Sequence, residues 1–390
     1  MQGDVYESDK QLELEKNPLR QVVLDLVKYR LGPIIGLVVI WLFFAILAGK
    51  DFRAISNQQL ILLQTVVVGT AAVGATMIII SGGIDLSIGA TIALTTMVVA
   101  LVVDKGLPIW VACLCGMATG VLVGLTIGAL VAGYVGRVAG VVMGVLLGMW
   151  AATHLTWFGG VAVGLVTCAI FILLNEKFIR IVPISSFIVT LGLWGAVRGV
   201  AKWVGGNEPI YPDDLGWVGD LMVGIPLGKS GWSFPAPGVW ILIVSAIVMS
   251  FILSYTQFGR HVFAIGSNER TALLCGIKIR RTQIKVYMLA ILFGGIAGIL
   301  QTSFLSMGDP TTADGYELQV IAAVVIGGAS LLGGEGSVLG TIVGALIMTV
   351  VANGCTKLGL DNYVQQIVTG AIIVLAVGLD QWRHGAKYAR

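Results

Sequence analysis

The stretch "IIISGGIDLSIGATIAL", residues 78–94, decides the fold. Its flanks are apolar enough to sit in hydrocarbon, yet two glycines, two serines and a carboxylate, Asp85, interrupt them. An ionised carboxylate facing lipid costs at least about 2.5 kcal/mol on insertion scales, so Asp85 must lie near an interface or face a polar interior. Two compatible readings stay open. Either Asp85 or Ser87 caps the helix that follows, or Asp85 lines an aqueous path and hydrogen-bonds what passes through it.

The solvent around this stretch follows from composition. Hydrophobic residues make up 57% of the 390 residues and charged residues only 12%, with a mean hydropathy of +0.93, far from the balance of a soluble domain. Apolar runs of about 17 to 25 residues recur along the chain, the length an α-helix needs to cross roughly 30 Å of hydrocarbon. Alternating strands are absent, which argues against a β-barrel. The chain therefore reads as an all-α polytopic membrane protein.

The net charge of +3 says little, but the placement of the cations says more. Lys10, Lys16, Arg20, Lys28 and Arg30 precede the first apolar run. Arg260, Arg270, Lys278, Arg280, Arg281 and Lys285 crowd one central loop, and Arg383, Lys387 and Arg390 close the chain. The positive-inside rule places all three regions in the cytoplasm, so an even number of crossings separates them. Spans are expected at 33–49, 58–80, 87–103, 107–132, 138–157, 160–175, 184–203, 238–256, 286–305, 317–332, 337–354 and 364–380, about twelve passes at bilayer length. The Gly-rich 184–203 and 317–332 are alternatively re-entrant, which leaves about ten. The domain reading is a cytoplasmic segment 1–32, a transmembrane body 33–382 and a tail 383–390, with residues 204–236 outside.

Residues 19–30, "LRQVVLDLVKYR", carry apolar positions at helical spacing and read as an amphipathic surface helix or as an extension of the first span. No cleavable signal is evident. The five cysteines are odd in number and mostly within apolar runs, and neither they nor the three histidines show metal-ligand spacing. No phosphate-binding GxxxxGK[ST] motif is present, so no metal and no cofactor is expected in this chain, and energy must come from an ion gradient or another protein.

Glycine is the next signal, at 53 residues, roughly twice average usage. Gly116, Gly120, Gly124 and Gly128 continue through Ala132 to Gly136, Gly140, Gly144 and Gly148. Small residues four apart let helix backbones approach in lipid. Because each step of four overshoots one turn by about 40°, the stripe drifts and is expected not to serve one partner throughout. The segments starting at 120, 140 and 160 also align as a repeat of about 20 residues, one span long, either a duplicated hairpin or low complexity.

Within the basic loop 257–285, "SNERTALLCGI" has a helix start at Ser267 or Asn268 with Glu269 and Arg270 following, an apolar centre including Ala272, and a glycine stop at Gly276. A solvated basic loop explains the arginines but not the capped apolar centre. A short helix outside the membrane, a handle for a soluble partner, explains both.

At this point the residues carry a resemblance. "SGGIDLSIGA", "PISSFIVTLGLWGAVRG" (183–199), the loop just described and "GYELQVIAAVVIGGASLLGGEGSVLGTIVGALIMTVVANG" (315–354) resemble the membrane permeases of bacterial ABC importers for ribose, xylose, galactose and related sugars. The likeness covers the chain outside residues 1–30 and about 115–165. It implies the ABC importer permease fold with about 10–12 transmembrane helices in the bacterial cytoplasmic membrane, both termini cytoplasmic. It further implies a homodimer of permeases, a cytoplasmic ABC ATPase that binds ATP-Mg, an external sugar-binding protein, and no nucleic-acid partner. Branched-chain amino-acid permeases belong to the same superfamily but usually carry an amide where this chain has Asp85.

The resemblance implies that 267–277 enters a groove on the ATPase, with Ser267, Asn268, Glu269, Arg270, Ala272 and Gly276 as the coupling residues. The acidic-Ala-Ala opening usual in such loops is degenerate here. It also implies that "SFIVTLG" (186–192) and "GYELQVIAA" (315–323) approach the translocation path; together with the path reading of Asp85 given above, this makes Asp85, Ser87, Phe187, Thr190 and Glu317 the candidate path or gate residues. For Glu317 the plainer alternative is a first-turn acid; for Thr190, a hydroxyl bonded to its own helix backbone. Residues 115–165 look like about 40 extra residues, two spans' worth. The rival reading from another class is an ion-coupled secondary transporter with Asp85 at a broken helix.

Overall fold

The computed structural model describes residues 32–154, 157–178, 184–226 and 233–388. The amphipathic segment expected at 19–30 lies outside the described residues. Helix α1 (Gly32–Leu47) and the short α2 (Gly49–Arg53) lead into α3 (Ile55–Ile80). Then come α4 (Ile88–Asp104), α5 (Ile109–Val131), α6 (Val135–His154), α7 (Trp157–Phe178) and α8 (Ser186–Val204). The second half holds α9 (Pro237–Tyr255), α10 (Gln257–Ser267), α11 (Glu269–Leu274), α12 (Ile279–Leu305), α13 (Tyr316–Ile326), α14 (Val338–Lys357) and α15 (Asn362–Tyr388). Among the described residues, ladder pairing is confined to a two-residue antiparallel pair, Ile225–Pro226 with Ser233–Phe234, and a bridge between Ile210 and Gly308.

Six of these helices, α3, α5, α8, α9, α12 and α14, are long and apolar enough to cross a membrane, and shorter apolar helices fill in between them. The expected all-helical polytopic body is therefore present. Its centre is α3 packed on α12. Helix α3 is apolar around its whole circumference, so it can be buried on every side: 89% of its most apolar window is buried, against 22% for α8 at the periphery. Val67, Ala71 and Ala75 of α3 share one cluster with Ile92 of α4 and Val320 and Val324 of α13. Where lipid is as apolar as the side chains, such close packing, rather than flight from water, holds helices together.

The glycine stripe serves two partners, as expected, but because the chain breaks between two helices rather than because the stripe drifts: Gly116, Gly120, Gly124 and Gly128 all face α12. A Cβ on Gly120 would stand 2.5 Å from the Ile291 carbonyl oxygen of α12, whereas one on Gly144 would stand 2.7 Å from the Gly164 carbonyl oxygen of α7. The chain turns between the two halves at Gly133 (φ +91°). Thus α5 is locked to the core, and α6 pairs mainly with α7 as a hairpin that touches the body only lightly. The 140 and 160 segments are the two arms of that hairpin; the 120 segment belongs to the core.

One span needs correction. Residues 317–332 do not form a crossing: α13 is an 11-residue helix, about 16 Å long and roughly half the hydrocarbon thickness. Gly327 and Gly328 end it, with Gly328 at φ +94°, and its length fits the re-entrant alternative. The other segment for which re-entry was open, 184–203, is a 19-residue helix of crossing length.

Helix α4 also begins at depth. A Cβ on Gly294 would stand 2.6 Å from Ile88 at the start of α4. That contact lies roughly halfway along α12, about 22 Å from its N-terminus at about 1.5 Å per residue. The chain from 81 to 87 therefore climbs back into the bundle after α3 ends.

Candidate functional site

The site is built where helices stop. Helix α3 ends in a Schellman arrangement: the Gly82 N–H donates to the Ile79 carbonyl and the Gly83 N–H to the Ile78 carbonyl, both at 2.9 Å. Gly82 adopts φ +81°, the left-handed conformation that glycine takes without strain. Helix α11 ends the same way at Gly276 (φ +80°), with Gly276 donating to Leu273 and Ile277 to Ala272. Helix α13 repeats it at Gly328, whose N–H donates to Val325 while Ala329 donates to Val324.

These ends converge. The Gly334 N–H, in the turn after α13, donates to the Ile80 carbonyl at 2.8 Å. Gly266, near the end of α10, lies against the same carbonyl, and a Cβ there would meet the Gly334 nitrogen at 2.6 Å. Ser267 packs beside Gly334. The elbow between α10 and α11 thus rests directly on the broken end of α3 and on the turn after α13.

Helix α11 hangs from that elbow. Asn268 is its N-cap, accepting the Thr271 N–H at 2.9 Å, the interaction that satisfies an orphan donor at a helix start. Glu269 occupies the first turn, and Glu269 and Arg270 are exposed. Ala272 is buried, while Leu273 and Leu274 are 61% and 88% exposed. The start and stop read from "SNERTALLCGI" are therefore present, with Asn268 rather than Ser267 as the cap.

Asp85 organises the climb from α3 to α4. Its Oδ1 accepts both the Ser87 N–H and the Ser87 hydroxyl, each at 2.7 Å. This corrects the expectation of a capped helix end: Ser87 occupies the N-cap position of α4, but neither side chain bonds an N–H inside the helix. Asp85 closes an Asx turn one step earlier. It is 4% exposed, and its Oδ2 has no hydrogen-bond partner among the described residues.

Helix α8 holds the same segment from the side. The Ser186 hydroxyl accepts the Ile84 N–H at 3.1 Å, and the Thr190 hydroxyl reaches the Ile84 carbonyl at 3.2 Å and its own helix carbonyl at Ser186 at 2.9 Å. Phe187 takes part only through its carbonyl, which accepts the Thr190 hydroxyl at 3.4 Å, and it is 47% exposed. Glu317 is buried in the first turn of α13, its carboxylate against Gly89 in the first turn of α4, with Oε2 unpartnered among the described residues. Two carboxylates thus flank the N-terminal end of α4, where the helix dipole favours negative charge. Among the described residues, no cluster of three or more His, Cys, Asp or Glu is poised to hold a metal.

Sequence reasoning passed over Arg198, the cation inside the apolar run of α8. Its guanidinium donates to the carbonyls of Pro310 (3.2 Å) and Thr312 (2.5 Å) and lies 3.8 Å from Asp314. A cation in a spanning helix was itself the signal. Ser186 and Tyr287 were passed over too, and no local pattern marks them.

Beside α11 the chain forms a half-open cavity of about 900 Å³ whose wall includes Glu269, Lys278, Arg280, Arg281, Ser186 and Tyr287. The described residues thus build a body of helices long and apolar enough to cross a membrane, with a short capped helix seated on the ends of α3 and α13. The chain belongs to the family described as branched-chain amino acid transport system / permease component, which matches residues 58–137 and 133–377.

Among its relatives, the chain is similar to the probable ABC transporter permease protein YphD of Escherichia coli K12, 33% identical over 89% of this chain and 88% of that one. It is 34% identical to the ribose import permease RbsC of the same strain, over 85% of this chain and 87% of the relative. The L-arabinose ABC transporter permease AraH of Azospirillum brasilense is 31% identical, over 91% and 89%. No solved structure matches the chain. The resemblance to sugar-import permeases read from the motifs is thereby confirmed.

Proposed function

We propose that the chain is the permease subunit of an ATP-driven importer that carries a monosaccharide, a pentose or hexose such as ribose or xylose, across the bacterial cytoplasmic membrane. The observation that carries this reading is α11: a helix capped at both ends, presenting Leu273 and Leu274 outward and seated on the ends of α3 and α13. A soluble ATPase that grips α11 holds a lever on both breaks. The sugar-permease names among the relatives support sugar over branched-chain amino acids as cargo.

In this reading a second copy of the chain completes the path, and a separate ATPase binds ATP-Mg. An external binding protein supplies the sugar, and both termini are cytoplasmic. The permease performs no bond chemistry. ATP-driven movement of α11 displaces the elbow at Gly266–Asn268, which shifts the Ile80 end of α3 and the turn at Gly334. The climb at 84–87, held by Ser186, Thr190 and Asp85, then moves with its helix, and Phe187 and Glu317 belong to the elements that part.

The test is co-purification of the wild-type chain and of Glu269→Ala/Arg270→Ala with the candidate ATPase, followed by ATPase assays in lipid. Association that the double variant loses supports the reading. Uptake that follows an ion gradient with no ATPase captured replaces it with a secondary transporter that uses Asp85.

A further inference from the structure

The cavity beside α11 is more basic than a sugar route requires. Lys278, Arg280 and Arg281 line it against a single acid, Glu269. Among the described residues none of the three cations forms an ion pair. Two long helices begin at its wall, α8 at Ser186 and α12 at Ile279. Neither has a side-chain cap or an acid in its first turn, so each leaves a positive dipole end there, although the Ile279 N–H of α12 is already taken by the Ile277 carbonyl at 2.9 Å. Tyr287, almost wholly buried, and Ser186 form part of the same wall.

We propose that this cavity binds a phosphate-bearing anion, either the headgroup of an anionic phospholipid or a soluble phosphorylated small molecule. Guanidinium groups and free helix N-termini are the two protein elements best matched to phosphate oxygens, the first by paired donors and the second by backbone N–H groups. A volume near 900 Å³ holds more than a bare ion and falls within the range of small-molecule pockets. The positive-inside rule sets this end of the bundle at the cytoplasmic surface, within reach of both sources. Because α11 forms part of the wall, an anion there stiffens the handle. The proposal is independent of which cargo the permease carries.

The test uses the full-length chain without any ATPase, so its failure is separate from failure of the transport reading. In one arm the chain is reconstituted in phosphatidylcholine nanodiscs with and without phosphatidylglycerol, and retained lipid is counted by native mass spectrometry. In the other, the chain in phosphatidylcholine alone is titrated calorimetrically with inorganic phosphate and with a sugar phosphate. The variants are Arg280→Gln/Arg281→Gln and, as a control of like charge outside the cavity wall, Lys285→Gln.

The expected result is binding in at least one arm, lowered roughly tenfold or more by the double variant, in proportion to two lost charge-assisted bonds, and little changed by Lys285→Gln. Phosphatidylglycerol retained without phosphate binding identifies the headgroup; phosphate or sugar-phosphate binding alone identifies the soluble ligand. Absence of binding in both arms, or an equal loss with Lys285→Gln, overturns the proposal. Should the double glutamine variant not fold, Arg280→Lys/Arg281→Lys keeps the charge and loses the paired donors, and a several-fold loss is expected from it; no loss likewise overturns the proposal.

Discussion

Gly334 donates its backbone N–H to the carbonyl of Ile80 at 2.8 Å, joining the turn after α13 to the end of α3 from a distance of about two hundred and fifty residues along the chain. Gly266 lies against the same carbonyl, so the α10–α11 elbow, the α3 break and the α13 turn meet at one point. This is where a side chain is least tolerable. Gly266→Ala is expected to destabilise the protein by about 1–3 kcal/mol through overpacking and to lower uptake more than it lowers ATPase binding. Thermal unfolding in detergent and transport in vesicles measure the two effects; an unchanged melting temperature would show that the contact is slack.

The Asx turn at Asp85 separates acceptor from charge. Asp85→Asn keeps an oxygen for the Ser87 N–H and hydroxyl and is expected to fold with near wild-type stability. Asp85→Ala loses the turn, at a cost of about 1–2 kcal/mol by analogy with lost caps. Paired melting and uptake assays distinguish the roles: if the Asn variant is stable yet inactive, the carboxylate itself serves transport.

Arg198 is the clamp of the segment that enters α13. Removing it strands the Pro310 and Thr312 carbonyls it now serves. Hydrogen bonds to charged groups contribute about 1.5–3 kcal/mol each, and Arg198→Ala is expected to lose at least that of one bond. Arg198→Lys retains the charge but not the fork, so its melting temperature should fall between those of Ala and wild type.

Caps on α11 allow coupling to be weakened without touching the core. Asn268→Ala removes the bond to Thr271, at a cost near 1 kcal/mol, and Gly276→Ala forces a side chain onto φ +80°, at about 1–2 kcal/mol. Both are expected to reduce transport-coupled ATP hydrolysis while the melting temperature of the membrane body stays close to wild type. A large drop in that temperature would mean α11 is part of the body rather than a handle.

The two halves of the glycine stripe should respond differently. Gly120→Leu drives a side chain into the α12 backbone and is expected to abolish folding. Gly144→Leu disturbs only the α6–α7 hairpin, and the body should still assemble. Limited proteolysis and size-exclusion profiles of the two variants report which outcome holds.

The features legible in sequence were those with a local physical cause. Run length and apolarity mark spans because a bilayer has a thickness, and Asn268 and Gly276 announce α11 because caps and left-handed stops are set by neighbouring residues. Glycines spaced by four marked close helix packing, but the drift argument for a change of partner did not apply: the four glycines of α5 all face α12, and the partner changes because the chain turns at Gly133.

Other features needed the tertiary structure. The run at 317–332 is apolar enough to cross, yet α13 stops after 11 residues because Gly327 and Gly328 turn the chain toward Ile80. Asp85 binds Ser87 in a turn rather than capping a helix because Ser186 and Thr190, a hundred residues away, hold Ile84 in an extended climb. Local preference allowed either arrangement, and packing of α8 and α12 around the break selected one.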